Sequence, residues 1–425
     1  MKKWLVEACL FSLYFAFGIS WMAYAPLLPD LERTFAVSHA QAAALISVVS
    51  MAKAFVPLLA GLLAVRLGNR RALLLGGALA GLSVVAPLLG SFGALLAVRF
   101  FFGVGGAIIV TLMGAMALEW FERDDLPMVN ALNNVAVNTG ITVAMFATVP
   151  LAARFGPQRT LLLASVASVA AWVAWLLWGQ PGPRGTQVRL QAADATGKPL
   201  AAGKPLAAGK LPAGGGWQEL RGVMARRETW LIAFAFSGPL CLYLALNTWL
   251  PSYYAAAFGL TRAAAAQTTG VFNLVGIPTA LLGGWLCARM GQRRPLIMVA
   301  GAIMPPAALG MLLCPWAPAR LLAAVALGVA FFLYVAPLAT TSMELDGMTP
   351  TRVGLLNGVV FSVAYMISFV APLAVGWGRD LSGSFLPGLL GVTMLSASLV
   401  VGGWALPETG ASRRSTLAVE LAEAA

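Results

Sequence analysis

Charge is scarce in this sequence: Asp, Glu, Lys and Arg make up 10% of its 425 residues, against about a quarter of an ordinary soluble domain. A chain so poor in charge cannot surround a core with a solvated surface, and its 60% of hydrophobic residues need a solvent other than water. Histidine occurs once, as His39, and the four cysteines Cys9, Cys241, Cys287 and Cys314 form no CxxC pair, which argues against a zinc site or a disulfide framework. No Ser/His, His/Asp or metal-ligand cluster falls inside the apolar runs, so no enzyme, metal centre or cofactor is expected. Basic and aromatic residues do not interleave on one face, so the net charge of +12 does not indicate nucleic acid.

What is abundant is the apolar run of membrane-spanning length. Twelve such runs are read, over 4–28, 42–65, 72–90, 95–118, 128–150, 160–178, 229–250, 265–287, 295–315, 320–342, 353–375 and 385–406. The charge then becomes topology. Of the 28 Lys and Arg residues, Lys53 and Arg99 lie inside runs, six (Arg33, Arg154, Arg159, Arg262, Arg320 and Arg379) lie between runs on one side, and the remaining twenty lie on the other. The positive-inside rule therefore places both termini in the cytoplasm of a bacterial inner-membrane protein. Lys2 and Lys3 before an apolar stretch with Ala23-Tyr24-Ala25 mimic a cleaved signal peptide, but the stretch has spanning length and a counterpart in the second half.

That counterpart is part of an internal repeat. Leu28-Pro29 recurs as Leu250-Pro251, Phe35 and Ser38 recur as Phe258 and Thr261, and Pro127 recurs as Pro350. Leu132-Asn133 recurs as Leu356-Asn357. Gly61, Arg66, Gly68, Arg70 and Arg71 recur at a constant shift of 223 residues as Gly284, Arg289, Gly291, Arg293 and Arg294. Ser38 and Thr261 suit helix N-caps, while Pro29 and Trp249-Leu250-Pro251 are expected to break helices. The predicted fold class is an all-α membrane protein of two six-helix bundles related by pseudo-two-fold symmetry, over 1–179 and 228–410. A Gly- and Pro-rich linker covers 180–227, with Gly197-Lys198-Pro199-Leu200-Ala201-Ala202 repeated directly as Gly203 to Ala208, and a tail covers 411–425. Trp217 to Trp230 reads as an interfacial helix.

The loop from Gly61 to Arg71, present twice, resembles the signature loop between the second and third helices of the major facilitator superfamily. The resemblance implies a gating role for its glycines and arginines, latching the cytoplasmic sides of the two halves. The superfamily's usual Asp is replaced by Val65 and Ala288, so the ionic part of the latch is missing and inward-open states are favoured. Arg99 before Gly103, Gly105 and Gly106 resembles the fourth-helix arginine motif. Glu119-Trp120-Phe121 with Arg123 and Pro127 is similar to the nitrate, cyanate and organic-anion branches, and Pro407-Glu408-Thr409-Gly410 is a common exit sequence. The fifth run holds only Gly140, which departs from the glycine-rich signature of drug–proton antiporters.

Parallel repeats place a substrate site between the halves, near the bilayer midplane. Lys53 lies mid-run, where snorkelling is hard from either side, and an embedded cation normally faces protein or a cavity. Carboxylates such as Glu7, Asp30, Glu119, Glu344 and Asp346 all sit near run ends. Two embedded cations without a deep anion favour an anionic or strongly polar solute. Asn130, Asn134, Asn138 and Thr142, spaced by four, give the fifth run a polar face, and Asn247, Asn273 and Asn357 offer matching groups from the second half. Tyr14, Phe17, Trp21 and Tyr24 fall near one face as an aromatic wall. Asp30, Glu119 and Glu344 are the coupling candidates, with protons as the candidate ion, and His39 reads as a solvated loop residue. The expected activity is secondary or facilitative transport of a small solute by a monomer through alternating access. The alternatives are export of a hydrophobic or cationic metabolite, and a non-transporting sensor or assembly factor.

Overall fold

Twelve helices among the described residues are long and apolar enough to cross a membrane. The computed structural model describes residues 2–122, 125–183, 215–348 and 350–409. The first half contains α1 (Lys2–Met22), α2 (His39–Leu67), α3 (Asn69–Gly81), α4 (Phe92–Trp120), α5 (Leu126–Phe155) and α6 (Pro157–Trp178). The second contains α7 (Arg227–Phe258), α8 (Arg262–Met290), α9 (Arg294–Leu313), α10 (Ala317–Leu333, continued by Val335–Glu344), α11 (Pro350–Ser382) and α12 (Leu386–Leu395, continued by Ser398–Ala405). The face from which α1 starts is called the terminal face below, and the opposite one the far face.

Local chemistry sets several helix ends. Ser38 Oγ accepts from Gln41 N while Gln41 Oε1 accepts from Ser38 N, a reciprocal capping box that starts α2. Thr261 caps α8 by a single bond, its Oγ1 accepting from Ala264 N. Gly68 and Gly291 take positive φ, 82° and 62°, in the two turns that reverse the chain between paired helices. A side chain there would be strained, which explains glycine at both repeat positions. The proline expectation needs correction at Pro251: α7 runs through both Pro239 and Pro251. A proline removes one amide donor, and neighbouring membrane helices can absorb that local loss. In the first half the break comes earlier, at Ala23-Tyr24, and Pro29 instead opens the short helix Leu28–Phe35.

Two hydrophobic cores correspond to the two halves. They interlock across the interface, because Leu28, Ala42 and Ala43 pack in the second-half core, and Leu240, Leu244 and Ala364 in the first-half core. The halves meet chiefly where α2 lies on α11 and α5 on α8. Residues 184–214 of the linker and the tail lie outside the described residues, as does the Trp217 side chain. Where the interfacial helix is expected over Trp217 to Trp230, a helix spans Gly215–Met224 and docks through Glu219 on Arg352 at 2.5 Å, with Val223 buried, while Arg227 to Trp230 belong to α7. The Arg352 hydrogen bond holds the Glu219 carboxyl below the usual carboxylate range.

Candidate substrate site

Lys53 stands on α2 where it faces both α1 and α11, and it is 2% exposed. Its Nζ lies 4.1 Å from the centre of the Trp21 ring, 4.9 Å from Phe17, and 5.6 Å from both Tyr14 and Tyr365. Among the described residues no carboxylate pairs with it. A cation over a ring gains about 0.5–2 kcal/mol, whereas burying an ammonium costs several kcal/mol. The rings therefore offset only part of the cost, and the ammonium stays available to an anion. The heptad spacing of Tyr14 and Trp21 puts both on one face of α1, and Phe17 stacks on Phe102 of α4 at 4.6 Å to stiffen that wall.

Beside this box runs a chain of amides. Tyr243 OH lies 3.0 Å from Asn138 Oδ1 on α5 and 2.7 Å from Asn273 Oδ1 on α8, and Asn273 Nδ2 donates to Asn247 Oδ1 at 2.8 Å. Asn247 Nδ2 donates to the Tyr243 carbonyl oxygen at 2.9 Å. The Asn138 contact crosses between halves. One hydroxyl hydrogen serves one of the two acceptors at a time, so Tyr243 is shared between an amide of each half. Tyr14 belongs to the first-half core, and Tyr243 and Tyr365 of the second half both pack against that core, which makes box and network adjoining parts of one centre. Tyr243 and Tyr365 were not among the sequence candidates. The repeat carries the signal for Tyr243, since it follows Trp21 by 222 residues, as Pro251 follows Pro29.

Other sequence candidates lie elsewhere. Arg99 is fully buried and donates to the carbonyls of Leu45, Ser20 and Trp21 at 2.9, 2.9 and 3.0 Å, with the Tyr24 ring 4.2 Å from its guanidinium carbon. Tyr24 thus packs on Arg99 and not around Lys53. Thr142 Oγ1 turns back to the Asn138 carbonyl, and Asn357 accepts from Ser342 away from the amide chain. The side chains of Asn130, Asn134 and Val65 lie outside the described residues, as do the surroundings of Gly61.

The signature loops hold their own halves. Arg70 donates to Gly179 O and Leu176 O at the end of α6, and Arg293 pairs with Glu344 at 3.0 Å. The amides of Arg293 and Arg294 donate to Glu408. Arg289 stacks on Trp285, while Arg66 and Arg71 are exposed. Gly284 has open space beside it. Glu119 accepts from Asn69 Nδ2 at 2.8 Å and from Gly182 N at 3.0 Å, and Thr409 also bonds Glu344.

Glu7 shares the α1 face of Tyr14 and Trp21, nearer the terminal face. It is 3% exposed, and neither carboxyl oxygen has a hydrogen-bond partner among the described residues. Asn133 on α5 is likewise buried with both amide atoms unpartnered. A buried polar group without a partner destabilises the fold, so Glu7→Met is expected to stabilise it by about 1–3 kcal/mol. Thermal melts of detergent-purified protein at neutral pH check this, and a variant that melts no higher than the parent rejects it.

At the far face the halves are joined. Arg262 pairs with Asp30 and also donates to Pro26 O at 3.1 Å. Asp380 of α11 accepts from the His39 and Ala40 amides at 3.1 Å each, so a second-half carboxylate caps the α2 N-terminus. His39 is no solvated loop residue: it opens α2, bonds Glu32 at 2.8 Å, and packs edge-on against the contacting pair of Trp249 and Phe385 rings. A cleft of about 360 Å³ over these residues ends at that seal. Because the Arg262 pair is partly exposed, it is worth about 0.5–1 kcal/mol. Arg262→Ala is expected to raise the labelling rate of a cysteine placed at buried Ala43 two- to fivefold. An unchanged rate removes the pair from the seal.

Twelve spans in two interlocked bundles, closed at one face over a buried ammonium and an amide network, define the class as a membrane transport protein. The profile of the Major Facilitator Superfamily matches residues 10–372, and the chain belongs to that superfamily, whose members are transporters and not enzymes. It is 25% identical over 378 residues to the probable nitrate/nitrite transporter NarK2 of Mycobacterium tuberculosis, covering 85% of each chain. An uncharacterized protein of Campylobacter jejuni, Cj0987c, is 29% identical over 157 residues, 37% of this chain; the match spans about half of that relative's length, 49%. Among solved structures, a D-xylose–proton symporter superposes with a TM-score of 0.72 at 14% identity, over 96% of this chain and 98% of that one. A bacterial homologue of the human lysosomal transporter Spinster, inward-facing and unoccupied, gives 0.68 at 15% identity, over 95% of each. These likenesses define the fold.

Proposed function

We propose that the chain moves a small anionic solute across a bacterial inner membrane by alternating access, acting as a monomer with both termini in the cytoplasm. One observation carries this reading: a buried Lys53 ammonium at the meeting of the halves, with aromatic rings against it and no carboxylate partner among the described residues. An anion completes the pairing that the fold omits, while a cation would add repulsion in a water-poor site. The similarity to a probable nitrate/nitrite transporter supports an anion. In this reading the bundles 1–179 and 228–410 rock about the α2–α11 and α5–α8 contacts, and the far-face seal is the outer gate. Asp30 serves that gate, and Glu119 and Glu344 brace the signature loops. The arginines of those loops join the two halves only when the terminal face closes. Uptake of radiolabelled nitrate, acetate and benzoate into proteoliposomes, against methylamine and xylose, tests the assignment. Saturable flux of at least one anion and of neither comparator is expected. Methylamine or xylose flux without anion flux rejects the reading.

A further inference from the structure

Lys53 and its four rings specify more than the sign of the solute's charge. Two cations lie deep in the spans among the described residues, and Arg99 is sealed at 0% exposure with its nitrogens on three backbone carbonyls. Lys53 alone remains to meet a solute, which sets the capacity of the centre at one negative charge. A dianion would bring a second charge into a site with no group left to neutralise it.

The walls then discriminate among monoanions. Trp21, Phe17, Tyr14 and Tyr365 turn toward the ammonium at 4.1 to 5.6 Å, and an aromatic face carries negative quadrupole density. A bare inorganic ion would meet Lys53 on one side and repelling π clouds on the others. A flat hydrocarbon body gains by covering the same rings, which no inorganic ion can do. The amide chain around Tyr243 gives the far end of such a body a polar neighbour.

We infer that the solute is a monocarboxylate with a flat apolar or aromatic body, its carboxylate on Lys53 Nζ and its body against Trp21, Phe17 and Tyr365. The inference rests on the anion reading above and narrows it. Thermal-shift titration of the full-length protein with benzoate, acetate, nitrate, succinate and benzylamine tests both, each to its own outcome. Benzoate is expected to bind at least tenfold more tightly than acetate, nitrate or succinate, and benzylamine to leave the melt unmoved. Trp21→Leu is expected to weaken benzoate tenfold while leaving acetate unchanged, a split that a general loss of folding does not produce. Nitrate, acetate or succinate binding as tightly as benzoate overturns the monocarboxylate with a flat body and leaves the anion reading standing. Benzylamine binding alone, or no response to any anion, overturns both.

Discussion

Replacing Lys53 with glutamine is expected to lower anion flux at least a hundredfold while making the empty protein more resistant to heat. The two effects share one cause. In the empty state Lys53 is an ammonium withdrawn from water, with rings but no carboxylate against it. Removing that charge relieves a desolvation cost of several kcal/mol, of which contact with the nearest ring, Trp21 at 4.1 Å, returns about 0.5–2 and the more distant rings less. In the loaded state the same ammonium makes a charge-assisted bond to the solute, and removing one partner of a buried pair costs about 3–5 kcal/mol, roughly a hundredfold or more in affinity. Initial rates in proteoliposomes and melts of the purified variant measure the two sides together. Lys53→Arg discriminates further: the charge remains, but a planar guanidinium replaces a compact ammonium among the four rings, so partial flux is expected. If Lys53→Gln transports within twofold of the parent, charge pairing at this position is not part of solute recognition.

The particular residues show what the sequence could and could not reveal. Run length alone gave the number of spans, because a bilayer demands about twenty apolar residues whatever the packing. The shift of 222 to 224 residues made the two-bundle architecture legible, and a shift of 222 relates Trp21 to Tyr243 at the centre. Lys53 was legible because depth within a run is a property of sequence position. Its partners were only half legible: the α1 rings share a heptad face, whereas Tyr365 arrives from α11, and no periodicity reports a contact between halves. The Tyr243–Asn138 bond is hidden for the same reason, and so are the Asp380 cap on α2 and the placing of His39. Glu7 read as an ordinary helix-end carboxylate, since only packing reveals that it lacks a partner.

Arg99 is the residue whose substitution is expected to damage the fold most, and the reason lies in the helix break after Met22. Carbonyls in the last turn of a helix lack amide donors from the next turn. Ser20 and Trp21 occupy that turn of α1, where Ala23-Tyr24 leave helical geometry and the tight turn Ala25–Leu27 follows. Arg99 reaches from α4 to both of these oxygens and to Leu45 O on α2, tying three helices at one point with the positive charge that a helix C-terminus favours. Arg99→Ala leaves buried carbonyls without donors at about 1–3 kcal/mol each and opens a cavity beside Tyr24 and Phe102. Relief of the buried guanidinium charge offsets part of this, and a net loss of about 3–5 kcal/mol is expected. Arg99→Lys keeps the charge but supplies one compact ammonium where a planar fork spanned three acceptors, so it is expected to recover less than half of the loss. Melting temperature and detergent-extracted yield measure both variants. Because Trp21 borders the Lys53 box and contributes its carbonyl to this clamp, any Arg99→Lys protein that survives purification is also expected to bind anions more weakly. A variant as stable as the parent that lost only transport would instead place Arg99 in direct contact with the solute.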